Sequence, residues 1–134
     1  MHERFRYKTA EELTGKAKEL GYDLPFTDDL TPLFMPLRFG DVIIQNRITV
    51  QPMEGFDSED DGSPSPLTER RYMRYAAGGS GVIWFEAVSV SRDGRSNPHQ
   101  LFITEDNLWK FASLTGKIRE TAQKKGYDPF LVMQ

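Results

Sequence analysis

The chain contains no cysteine, which excludes disulfides and any cysteine-ligated zinc site. Its two histidines, His2 and His99, are too few for a histidine metal site or a Ser-His-Asp triad. Basic residues are not in excess: 17 Lys and Arg face 20 Asp and Glu, for a net charge of −3. Nucleic-acid binding needs a concentrated basic face, so that class of partner is not expected. No stretch approaches the roughly 20 apolar residues of a membrane span. The opening Met1 to Lys8 is charged throughout and lacks the apolar centre of a signal peptide. These absences lead to an expectation of a soluble, cytoplasmic protein with no membrane partner. The chain is otherwise ordinary: 134 residues, 38% hydrophobic, 12% aromatic and 28% charged, enough for the core of one domain.

Residues 9–20 read as a helix, with Thr9 and Glu12 at capping-box spacing and Gly21 as its C-terminal stop. Pro25, Pro32 and Pro36 make residues 21–36 an extended connector. The expected division is therefore 1–36, helix and connector, and 37–134, the main body. Residues 37–45 read as a β-hairpin turning at Gly40-Asp41. A strand over 47–51 ends at Pro52, and a loop rich in Gly, Ser, Asp and Pro covers 53–66. Ser65 caps the next helix, Pro66 opens it, and it runs to about Ala77 before Gly78-Gly79. Gly81 to Val88 reads as a strand apolar on both faces, as in helix-covered parallel sheets. A polar loop, 89–100, leads to a helix from about Glu105 to Lys124 capped by Thr104. The run 129–134 is a further strand.

The order strand, helix, strand, helix, strand implies right-handed crossovers and a parallel sheet. Long loops follow the first two strands, where such folds build binding sites. A closed barrel needs eight strands over about 250 residues, and this chain supplies roughly three-eighths of such a barrel, three strands of the eight. The expectation is the N-terminal part of a longer barrel. The alternative is a standalone small α/β module that associates, without a cofactor, through exposed sheet edges, and a homo-oligomer stays open.

Most eye-catching motifs have a plainer account. Gly78-Gly79-Ser80-Gly81 precedes a strand, whereas a phosphate-binding glycine loop follows one, so helix termination explains it better. Asp57, Glu59, Asp61 and Gly62 partly mimic a calcium loop, but the twelfth position is Thr68 instead of a bidentate Glu, so a solvated acidic loop is the reading. Glu69, Arg70, Arg71 and Arg74 form a charged helical face for which solvation or pairing within the helix suffices. His99 sits alone in a polar loop. Glu54 and Glu86 lie at strand ends, where an acid/base pair would sit; exposure for Glu54 and a buried ion pair for Glu86 are the alternatives.

At these residues the chain resembles the Old Yellow Enzyme family, FMN-dependent ene-reductases on a TIM barrel. Leu33-Phe34 and Leu37-Arg38-Phe39-Gly40 look like the hairpin closing the barrel floor. Asn46-Arg47-Ile48 with Pro52-Met53 looks like the first-strand signature. Asp61-Gly62, Arg71-Tyr72, Ala76 and Gly79-Ser80-Gly81-Val82-Ile83 look like the first helix and second strand, Gly94-Arg95 the loop after it, and Phe130 to Gln134 the third strand. Residues 1–30 lie outside the common pattern.

The resemblance implies a fold class: α/β, the N-terminal part of a (β/α)8 TIM barrel, with an opening hairpin, three parallel strands and two helices. It implies FMN as cofactor, NAD(P)H as reductant and a small-molecule activated alkene as acceptor, with hydride passing from nicotinamide to flavin to alkene. By position, Pro52 and Met53 would lie along the flavin ring. Ala87 would let its pyrimidine side approach, Gln134 would hydrogen-bond that side, and Phe56 would sit near the substrate. Uncharged amides suit the ring's carbonyl and imide groups without burying net charge. Glu54 departs from the family, which has threonine or cysteine there; beside a flavin it is expected to have a raised pKa, or to turn toward an arginine. The family's substrate-binding pair, proton-donating tyrosine and phosphate site fall later than Gln134, so no catalytic residue is assigned here and these 134 residues are expected to be inactive alone. A flavin-free barrel of aldolase type ranks below this, since no lysine stands at a strand end.

Overall fold

A computed structural model of the chain describes residues 4–134. His2 lies outside them. The chain forms two compact units, one ending at Leu30 and one from Thr31 to Gln134.

The first unit holds α1 (Ala10–Glu19). Thr9 caps it, its hydroxyl accepting from the Glu12 amide at 3.2 Å. The Glu12 carboxylate turns back to the Lys8 amide at 2.8 Å, one residue earlier than a strict capping box requires. No residue of α1 is buried.

The second unit opens with α2 (Thr31–Phe34), a single turn where the prolines predict extended chain. Pro32 occupies an early helical position, where its missing N–H costs nothing. β1 (Leu37–Phe39) and β2 (Val42–Ile44) pair antiparallel, Phe39 opposite Val42. Gly40 takes φ +58° between them, the left-handed conformation that a tight hairpin turn demands.

Three parallel strands form the main sheet: β3 (Thr49–Val50), β4 (Val82–Trp84) and β5 (Phe130–Val132), in the order β3-β4-β5. The crossovers are α3 (Pro66–Ala77) and α4 (Leu108–Gln123). Val50, Ile83 and Leu131 align in one cross-strand row. That row faces the helices, where Ile83 and Phe85 pack with Tyr72, Ala76, Leu114, Ile118 and Ala122, all buried. Tyr72 and Phe85 stack at 4.4 Å between centroids. A smaller cluster joins Val88 and Leu101 to Phe111.

Side chains alternate along a strand, so Trp84 projects away from the helices, and it is 41% exposed. The expectation of a strand covered on both faces is met on the helix side alone. At the opposite end of the strands from Trp84, Asn46 brackets β3 and β4: its Nδ2 donates to the Gly79 carbonyl at 2.7 Å, and its Oδ1 accepts from the Gly81 and Ile48 amides.

Candidate functional site

Parallel register puts the C-terminal ends of β3, β4 and β5 along one edge, and the segments leaving them carry every residue the sequence nominates. Pro52 is half-buried and Met53 is exposed. Glu54 is half-buried and its Oε2 accepts from the Ser96 hydroxyl at 3.2 Å, so its partner is a serine and not an arginine. Phe56 is half-exposed and takes φ +48°, a conformation rare for a bulky residue. Ala87 is half-buried and its carbonyl accepts from Gln100 Nε2 at 3.2 Å. Gln134 is exposed, and its carbonyl accepts from the Val88 amide at 3.0 Å, continuing the β4–β5 ladder.

Beneath this edge lies a polar cluster. Glu86 is 1% exposed. Its Oε1 accepts from Arg71 at 2.8 Å and from the Tyr72 hydroxyl at 3.2 Å, and its Oε2 accepts from the Gly55 amide at 2.8 Å. The Glu86 amide donates to the same tyrosine oxygen at 2.9 Å. Arg71 also donates to Asp57 at 2.9 Å and to the Met53 carbonyl at 3.3 Å. Asp57 in turn accepts from Thr68, whose hydroxyl also accepts from the Ser65 amide in the capping box of α3. Burial lowers the Arg71 pKa, but the adjacent carboxylates of Glu86 and Asp57 outweigh it and the net shift is upward. Burial likewise pushes the Tyr72 phenol up, so it stays a neutral donor.

The loops after β3 and β4 are bound to each other. Ser58 donates to the carbonyls of His99 and Gln100, and the Phe102 amide to that of Gly62. Arg95 donates to the carbonyls of Pro98 and Gln100. Asp61 accepts from the Ser63 hydroxyl and amide and from Lys110, which together lower its pKa to about 2. Among the described residues no cluster of His, Cys, Asp or Glu could hold a metal ion, and no helix is long and apolar enough to cross a membrane.

Sequence reading finds the edge but not the cluster beneath it. Arg71 pairs outside its helix, where pairing within the helix is expected. Glu86 forms the buried ion pair, and its acceptor sites are committed to three donors. The available signal was a lone acid closing an apolar strand.

The arrangement of a hairpin, parallel strands and crossover helices has counterparts among known proteins. The model of the NADH:flavin oxidoreductase / NADH oxidase family matches residues 32–126. The chain belongs to this family. Curated members include the NADPH dehydrogenase of Bacillus subtilis (strain 168), 34% identical over 96 residues, and that of Bacillus velezensis, 36% identical over 96; each match covers 70% of this chain and 28% of the relative. Among solved members, morphinone reductase superposes with a TM-score of 0.58 at 26% identity, covering 80% of this chain and 27% of that one. The Old Yellow Enzyme from Trypanosoma cruzi gives 0.57 at 26%, covering 77% and 26%. The Old Yellow Enzyme from Pichia sp. AKU4542 gives 0.59 at 20% identity, a likeness of fold, covering 76% and 26%. The chain therefore spans just over a quarter of these family members' length.

Proposed function

We propose that this chain supplies the first three strands of an FMN-binding (β/α)8 barrel in an NAD(P)H-dependent oxidoreductase of ene-reductase type. The observation that carries the reading is the alignment of Pro52–Glu54, Ala87 and Gln134 along the one edge where parallel strands end, the usual place for a site in such folds. The donor set suits a flavin ring. Ala87 offers little bulk, Met53 an exposed apolar surface, and Gln134 an exposed side-chain amide able to donate and accept without net charge. FMN, when bound, supplies the hydride chemistry between NAD(P)H and an activated alkene. The residues of this chain bind and orient: backbone at Met53–Gly55 along the ring, Gln134 at its polar side, and Phe56 toward the substrate. Three strands of a ring of eight do not enclose a cofactor, so the 134 residues as a separate polypeptide are inactive in this chemistry.

Glu54 brings negative charge to the edge, and negative charge disfavours added electrons on a neighbouring ring. Glu54→Gln raises the flavin reduction potential in this reading; an unchanged potential in a redox titration removes Glu54 from the ring's surroundings.

Native mass spectrometry of the whole gene product, followed by NAD(P)H oxidation with an α,β-unsaturated ketone, tests the function. A non-covalent FMN adduct and enone-dependent oxidation are expected. A protein purified from flavin-replete cells with no FMN, and none taken up on reconstitution, rules the reading out.

A further inference from the structure

Two loops meet at Gly55. Its amide points at a carboxylate 31 residues away in sequence, and the carbonyl two residues before it accepts from the guanidinium paired with that carboxylate. We propose that Arg71 and Glu86 are positioning residues that together hold the Met53–Gly55 backbone in its ligand-facing geometry. The proposal rests on the FMN reading for the identity of the ligand, but the positioning itself is a property of the chain.

Three observations carry it. First, the two grips are complementary. Glu86 takes an N–H from one end of the Met53–Gly55 segment and Arg71 supplies a donor to the carbonyl at the other, so the peptide groups flanking Glu54 have both ends fixed. Second, the grips are themselves fixed. Glu86 is held by Tyr72, which both donates to its carboxylate and accepts from its amide, and Arg71 is held by Asp57. Tyr72 is 1% exposed and stacked on Phe85, so the anchor is a core residue. Third, the glycine is required by the clamp. The φ of Gly55 is not positive, yet a Cβ there would overlap the Arg71 guanidinium. A side chain at this position would displace the guanidinium from its place in the clamp.

A rigid support of this kind lets a loop present backbone groups without reorganising when a ligand arrives. The chemistry also says why a carboxylate is used. Glutamate offers two oxygens, one for Gly55 and one for Arg71 with Tyr72. Glutamine has a single acceptor oxygen and cannot serve both sides.

The test compares wild type, Glu86→Gln, Arg71→Met and Arg71→Lys in the full chain. Nuclear magnetic resonance of the 15N-labelled protein reads the Gly55 amide without any cofactor, and fluorescence titration with FMN of the whole gene product reads affinity. Expected are an upfield move and faster exchange of the Gly55 amide in Glu86→Gln and in Arg71→Met. FMN binding in those variants should weaken by about tenfold, the effect of losing one charge-assisted hydrogen bond from the support. Arg71→Lys, which keeps the charge but loses the fork, should recover part of both. An unmoved Gly55 amide in Glu86→Gln overturns the positioning. So does a moved amide with unchanged FMN affinity. A wild-type protein that binds no FMN overturns instead the functional reading beneath it. Should Arg71→Met fail to fold, Gly55→Ala is the second variant, expected to disturb the neighbouring amides at Met53 and Glu54 by displacing the guanidinium; unchanged shifts there overturn the clamp.

Discussion

Glu86 keeps a carboxylate almost wholly out of water because three donors surround it. Such a group contributes little net stability while paired and becomes costly once a partner is removed. Arg71→Met is therefore expected to destabilise by ~3–5 kcal/mol, and in a double-mutant cycle with Glu86→Gln the two losses should be clearly less than additive. Urea unfolding of the four proteins measures it, and simple additivity argues that the pair does not act as a unit. Asp61 behaves differently, being about half exposed. Its pKa falls from the ordinary 3.8 to about 2 through Ser63 and Lys110. A depressed carboxylate contributes stability that is present above the unfolded value and lost as pH falls through the folded one. The Asp61→Asn variant should thus lose stability at neutral pH by a modest amount, given solvent screening, and show a shallower fall of melting temperature between pH 4 and about 2 than wild type. Parallel acid limbs in thermal scans would contradict the assignment. Neither environment was legible beforehand. Asp61 reads as part of a solvated loop, and Arg71 as part of a solvated helix face, because Lys110 reaches Asp61, and Asp57 and Glu86 reach Arg71, only across the fold.

Helix ends are legible in sequence where the capping chemistry is local. Ser65, Pro66 and Gly78 bound α3 as read, with the Ser65 hydroxyl accepting from the Leu67 and Thr68 amides. Ser65→Ala should cost ~1 kcal/mol. In α4, Phe111, Leu114, Ile118 and Ala122 recur at three- and four-residue spacing and are all buried. Ile118→Ala is expected to cost ~2–5 kcal/mol and Ile118→Val ~0.5–1.5, since the site lies inside the main cluster and cannot collapse freely. Chemical denaturation ranks the three; equal losses for Ile118→Val and Ile118→Ala would mean that the cavity is filled by relaxation. The start of α4 is less legible. Thr104 and Asn107 exchange backbone and side-chain bonds in a turn of their own, and the helix begins only at Leu108. Strand lengths are poorly legible for a related reason: β3 is two residues long where five are read, because a strand extends only as far as its partner's hydrogen bonds.

The main sheet has one covered face and one open face. Among the described residues β3 and β5 each pair with β4 alone, and Trp84 stands half-exposed on the side away from the helices. Unpaired edges and an open apolar face favour association. A polypeptide of residues 1–134 is expected to show a weight-average mass rising above 15.4 kDa with concentration in sedimentation equilibrium, and Trp84→Lys to suppress the rise. A constant 15.4 kDa across the accessible range would show that the open face is tolerated in water.

Element order, the hairpin, and the caps of α1 and α3 were decided by residues close together in sequence, because turn chemistry, capping and hydrophobic period act within a few positions. The edge that gathers Pro52, Ala87 and Gln134 follows from that order once crossovers are right-handed. The tertiary structure alone decided that Arg71 leaves its helix face to pair with Asp57 and Glu86, that Glu86 supports the Gly55 amide, and that Glu54 meets Ser96. Those contacts span 14 to 42 residues of chain. Their free energy depends on burial and on exact direction, and both exist only after α3 has packed against β4 and brought the loops over the sheet edge together.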